Sequence, residues 1–329
     1  MTRLLRVIVA AGAALLAMAA SAPAQMQGPL QGQYPNKPIT LIVPFGPGST
    51  TDTISRIIAQ HLGQALNQSV VIENKPGANG AIAAAYVARA APDGYTLLMS
   101  TNSPHSAAPS LNKSIAYDPV KDFEPVSRIG SFTLMLVLHP DVPATSIPEL
   151  IAYAKAHPGK LSFASGNASG VVAGETLKAW AGINLMHVPY RSTPPAVNDV
   201  LGGRVSMMFI DLTSGLPHVR AHALRALAVT RMQRSTLFPE LPSLHEAGVT
   251  NFDMDSWMGV FAPAHAPPDI VTRLNAELRK IVDNPEIKAR IGTLGFEAFS
   301  STPAELGSFV KVQLDKWTRM IRDAGIEPE

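Results

Sequence analysis

Seven short runs of β-forming residues, set between stretches of helical periodicity, constrain this chain more than any other feature. They are Ile39–Val43, Val70–Asn74, Thr96–Ser100, Leu161–Ser165, Leu185–Pro189, Val205–Ile210 and Arg225–Thr230. Strands that alternate with helices predict parallel sheets covered by helices, an α/β architecture. The helical stretches carry their own signals. Ile54, Ile57, Ile58, Leu62 and Leu66 form an apolar stripe at a period of 3.6, and Ser146-x-x-Glu149 reads as a capping box. Thr302-Pro303-Ala304-Glu305 combines a cap, a proline at the first helical position and the reciprocal Glu. It opens a stripe of Leu306, Phe309, Val310, Leu314, Trp317 and Ile321.

The first residues predict export. Arg3 and Arg6 precede an uninterrupted run of small and apolar residues from Val7 to Ala20, and Ala22-Pro23-Ala24 offers an A-x-A cleavage site. The run is shorter than the ~20 residues of a bilayer-spanning helix. A signal peptide over residues 1–24, removed after Ala24 to leave a soluble periplasmic protein, is the expectation. The Gln/Gly/Pro-rich stretch Gln25–Gln33 is read as a flexible mature N-terminus.

Both arginines of that leader count toward the 27 basic residues, and none of the 25 acids lies within it, so the mature chain is balanced. Balance argues against a nucleic-acid or anionic-membrane partner. With no cysteine, the chain has no disulfide, thiolate nucleophile or Cys-based zinc site. Roughly 300 mature residues fit two domains.

The segments that follow the strands are small and polar. Open α/β sheets bind ligands beyond the carboxyl ends of their strands, where loops enter helix N-termini. Pro44–Asp52 follows the first strand, Thr101-Asn102-Ser103 the third, Gly166–Gly170 the fourth, Tyr190–Thr193 the fifth and Asp211–Ser214 the sixth. A helix N-terminus binds an anion through its unpaired N–H groups, with no need of Lys or Arg. Taken singly, each loop reads first as a tight turn with an N-cap. Two Gly/Ser-rich loops, one in each half of the chain, favour a binding site.

Catalytic motifs are missing from the sequence: it has no G-x-S-x-G, Walker A run, G-x-G-x-x-G or H-E-x-x-H. His218 and His222 have metal-pair spacing but no third ligand nearby, and Asp253-x-Asp255 lacks the glycine and distal Glu of a calcium loop. Neither a cofactor nor a metal is expected, and the chain is read as a binding protein and not an enzyme. The alternative is a carboxylate-handling α/β hydrolase or isomerase.

Six blocks carry a resemblance. The run Tyr34 to Asp52, with Pro38-Ile39-Thr40-Leu41-Ile42-Val43-Pro44-Phe45-Gly46-Pro47-Gly48, resembles the opening of the substrate-binding receptors of tripartite tricarboxylate transporters, the Bug-type receptors. Val71–Ala78, Ala90–Leu97, Tyr117–Phe123, His187–Tyr190 and Leu224–Thr230 are similar to further blocks of that family, in order along the mature chain. The resemblance implies a type II periplasmic-binding-protein fold, two α/β lobes with a ligand cleft between them. The lobes are placed at 35–129 plus 253–329 and at 130–252, with crossovers near Ser127–Phe132 and Phe252–Trp257. It also implies a monomer that captures a small carboxylate (a di- or tricarboxylate, or an aromatic carboxylate such as terephthalate) for integral-membrane transporter subunits.

Carried onto this chain, the family's carboxylate-holding loops are Phe45, Gly46, Pro47, Gly48, Ser49, Thr50 and Asp52 in the first lobe and Ser165, Asn167, Ala168, Ser169 and Gly170 in the second. Thr101, Asn102 and Thr193 join them from the neighbouring loops. Three further residues have two readings each. Arg191 pairs with a second carboxylate or is a solvated rim residue. Asp211 reads an amine or hydroxyl, or caps the next helix. Tyr190 packs or hydrogen-bonds. The family often has Gly-Gly at Gly48-Ser49, His at Val171 and Lys-Gly at Arg191-Ser192, which leaves the ligand's identity open.

Overall fold

A computed structural model describes residues 34–235 and 238–328. The expected signal peptide and the Gln25–Gln33 stretch lie outside them. In chain order the strands are β1 (Ile39–Val43), β2 (Val70–Asn74), β3 (Thr96–Thr101), β4 (Phe123–Leu138), β5 (Ser162–Ser165), β6 (Met186–Pro189), β7 (Met207–Asp211), β8 (Arg225–Val229), β9 (Asp255–Pro263) and β10 (Phe296–Ala298). The helices are α1 (Thr50–Leu66), α2 (Ala81–Ala88), α3 (Ala108–Leu111), α4 (Ile147–Ala156), α5 (Ala168–Ala181), α6 (Thr193–Leu201), α7 (Leu212–Arg220), α8 (Pro268–Asp283), α9 (Pro285–Gly292) and α10 (Pro303–Asp323). All seven strands read from the sequence are present, within two residues at either end.

Their pairing corrects the expectation of parallel sheets. β1 pairs in parallel with β2 and β3, and β5 with β6 and β7. Between these parallel groups run β9 and β4, both antiparallel to their neighbours, in the order β2-β1-β3-β9-β4-β7-β5-β6. β4 serves two sheets: Phe123–Thr133 pairs with β9, and Leu134–Leu138 pairs with β7 and β8. Ser127–Phe132 lies within β4, and Asp255–Trp257 opens β9. Both segments expected to be crossovers are therefore hydrogen-bonded to each other, with register shifts at Pro125/Ser127 and Arg128/Gly130. The ladder skips Val126 and Ile129, each beside a residue that disturbs a strand, a proline without an N–H and a glycine at φ +150°.

The helices form for the reasons their sequences give. Every residue of the Ile54–Leu66 stripe is buried, and α1 stops at Asn67, which adopts φ +50° and donates its N–H to Gln64 and Gly63 carbonyls. Burying one such Ile or Leu contributes about 1.5–3 kcal/mol. The Thr302–Glu305 capping box is complete in both directions. At Ser146 only half of it forms: Ser146 caps the Glu149 N–H, but the Glu149 carboxylate takes the N–H and hydroxyl of Thr145. α10 is long enough to join two cores. Leu306 and Val310 pack with Trp257 and Phe261, while Trp317 and Ile321 pack with Phe163, Leu177 and Phe209. Among the described residues no helix is long and apolar enough to cross a membrane.

Candidate functional site

The first loop is braced from behind. Ser49 caps α1, its Oγ accepting the Asp52 N–H at 3.2 Å. Gly48 holds φ +82°, a conformation glycine adopts at no steric cost. Asp52 accepts from the Gly48 N–H (3.0 Å), from Arg56 Nε (3.0 Å) and Nη2 (2.9 Å), and from Asn74 Nδ2 (2.9 Å). Burial works to raise its pKa, but the bonds from Arg56, Asn74 and Gly48 outweigh it and hold the carboxyl below its usual value. Asn74 also donates to the Phe45 carbonyl at 2.8 Å. The first turn of α1 thus turns Asp52 toward Arg56 and Thr50 toward the site.

Three more helices begin nearby. Asn167 caps α5 through the Gly170 N–H at 2.9 Å, and Asp211 caps α7 through the Ser214 N–H at 2.8 Å. Ser192 precedes α6 but its side chain makes no cap, because its Oγ accepts the Gly46 N–H at 3.1 Å. The approach of these loops is close: a Cβ on Gly166 would stand 2.4 Å from the Thr193 nitrogen. Thr50 Oγ1 donates to Asp211 Oδ1, and Asn102 Nδ2 donates to Ser169 Oγ at 2.8 Å, which itself lies 2.8 Å from Ser256 Oγ.

The starts of α1, α5, α6 and α7 therefore converge on one cavity of about 10 Å³, the space of one water. Of the residues expected to bind ligand, Phe45, Ser49, Thr50, Thr101, Asn102, Asn167, Ser169, Thr193 and Asp211 line it. Gly46 does not line it but bonds Ser192, the neighbour of the lining residue Thr193; Ala168 and Gly170 are buried in the first turn of α5, and Pro47 and Gly48 face solvent. Asp52 does not line it.

Ser165, Tyr190 and Arg191 line a different cavity, of about 560 Å³, shared with Val171, Glu175 and His187. There Ser165 Oγ lies 2.6 Å from His187 Nε2. Tyr190 both packs and hydrogen-bonds, its hydroxyl donating to Asp199 at 2.6 Å. Arg191 is exposed and has no ion-pair partner among the described residues.

Sequence reasoning overlooked Ser192, Ser256 and Phe132. Phe132 and Ser256 are cross-strand partners where β4 and β9 pass the cavity, and both lie in the segments read as crossovers. Of the two other acid or metal candidates, Asp255 is paired with Arg231 at 2.8 Å and Asp253 with Lys316 at 3.7 Å. His218 sits in the last turn of α7 and His222 just beyond it.

The cavity lining contains no Lys or Arg. What it offers an anion is the N-terminal ends of helix dipoles together with hydroxyl and amide donors. Such a site can hold an anion reversibly. An α/β chain whose two sheets share a strand, with helix N-termini of both sheets meeting at one cavity, has the two-lobe type II periplasmic-binding-protein fold. The chain belongs to the tripartite tricarboxylate transporter family receptors, whose family model matches residues 54–326. It is similar to Rpa4515 of R. palustris, solved with adipate, at 33% identity and TM-score 0.88, covering 90% of this chain and 100% of that one. It is similar to the periplasmic binding protein BugD at 34% identity and TM-score 0.86, with 90% and 100% covered. MatC of Rhodopseudomonas palustris, solved with malate, matches at 30% identity and TM-score 0.83, with 88% and 100% covered.

Proposed function

We propose that this chain is exported, is cleaved after Ala24, and serves in the periplasm as the receptor that delivers a small carboxylate to the integral-membrane subunits of a tripartite transporter. The observation that carries this reading is the convergence of four helix N-termini on one cavity without a cation. The adipate and malate bound by similar proteins favour a dicarboxylate; aromatic diacids such as terephthalate belong to the same chemical class. One carboxylate sits at the starts of α1 and α5. The rest of the ligand extends toward the 560 Å³ cavity, where Arg191 receives a second carboxylate.

A 10 Å³ cavity admits no diacid, so capture requires the lobes to part and close again. The lobes are 35–129 plus 253–329 and 130–252, and they move about β4 and β9. The bonds Gly46–Ser192, Thr50–Asp211 and Asn102–Ser169 then report closure. The receptor acts as a monomer. Mass spectrometry of ligand carried through native purification, followed by calorimetric titration of the acid found, tests the assignment. A carboxylate recovered unchanged is the expected result. The hydrolase alternative rests on the Ser165–His187 pair, and ester cleavage lost in Ser165→Ala would replace the receptor reading with it.

A further inference from the structure

The one ionisable side chain lining the small cavity is an acid. Asp211 is 4% exposed. Its Oδ1 is occupied by the Ser214 N–H and the Thr50 hydroxyl, while its Oδ2 takes no hydrogen bond among the described residues. Among the described residues no cation forms an ion pair with it: Arg56 is paired with Asp52, and Arg191 lines the neighbouring cavity. Capping α7 does not explain the charge, because Asn, Ser or Thr caps a helix about as well as Asp.

A buried carboxylate beside an anion site discriminates strongly. A ligand carboxylate about 4 Å from it, at the effective dielectric of a protein, loses about a thousandfold in affinity. A ligand donor in the same place gains a bond to a charged acceptor, about ten- to a hundredfold. We propose that Asp211 selects carboxylates bearing a hydrogen-bond donor, a hydroxyl or an ammonium group, next to the carboxylate seated at the helix N-termini. The inference rests on the receptor reading and narrows it. A donor-free diacid leaves the Asp211 Oδ2 without a partner, and a 2-hydroxy or 2-amino diacid gives it a donor.

The test uses matched ligands: succinate against malate and aspartate, and terephthalate against 2-hydroxyterephthalate, titrated calorimetrically into the mature protein and into Asp211→Asn. In the wild type the donor-bearing member of a set should bind at least about tenfold tighter. Asn keeps the cap through its oxygen and places an NH2 where Oδ2 stood, so the variant should lose or invert that preference. Donor-free acids that bind the wild type as tightly as their partners would overturn the proposal. So would a preference of equal size in both proteins. Either result leaves the receptor reading standing, whereas a wild type that binds none of these carboxylates would sink both.

Discussion

The Gly46 N–H donates to Ser192 Oγ at 3.1 Å, joining loops that are 146 residues apart. Ser192 gives up capping its own helix to make this bond. The same stretch presses on Gly166, so three loops meet within van der Waals contact at one point.

Gly166→Ala should disable the site. The added Cβ would fall 2.4–2.6 Å from backbone atoms of Ser192 and Thr193, which cannot rotate aside as a side chain can. Overpacking of this kind costs about 1–3 kcal/mol, with loss of ligand affinity from the displaced loops. Gly292→Ala, at a position with nothing within 4 Å, is the control and should melt at or slightly above the wild-type temperature. Unchanged affinity in a folded Gly166→Ala protein would show that the loops tolerate separation.

His105 should make stability fall in acid. It is fully buried against Phe123 and Phe261, and burial lowers its pKa to about 3. Between about pH 6.5 and 3 the unfolded chain binds a proton at this residue that the folded chain does not. Stability is therefore intact above the unfolded value and declines as pH drops through that window, by at most about 1.4 kcal/mol per pH unit. Melting curves of wild type and His105→Gln across pH 4–7 isolate this contribution. Parallel curves would assign the acid sensitivity to other groups.

Arg191→Met should separate diacids from monoacids. Met retains the apolar stem and removes the charge. The affinity of a diacid should drop about tenfold, while its monoamide binds as before. Equal losses for both would return Arg191 to the solvated rim.

Intact-mass analysis of periplasmic protein should give a chain that begins at Gln25. A mass that retains Met1 would contradict export by signal-peptide cleavage.

Strand positions were legible because each run is local and bounded by turn residues. β4 was not. Pro125 and Gly130 interrupt it, it is buried along most of its length without period-2 alternation, and it pairs with a segment about 130 residues away. Much of the small-cavity lining was legible as the residues that follow strands, but the direction of each side chain was not. Thr50 and Asp52 stand two residues apart in the first turn of α1. Arg56, one turn on, draws Asp52 away from the cavity. Ser165 and Asn167 divide between two cavities in the same manner, one on each side of Gly166.

β4 contributes to both sheets along sixteen residues. Neither sheet can then melt without stripping hydrogen-bond partners from the other, and calorimetry should record a single cooperative endotherm for the whole body instead of one peak per lobe. The same sharing forbids dissection: an isolated 130–252 fragment would carry a strand cut at the junction, with an unpaired edge open to aggregation. The two sheets are one folding unit, joined by a strand that belongs to both.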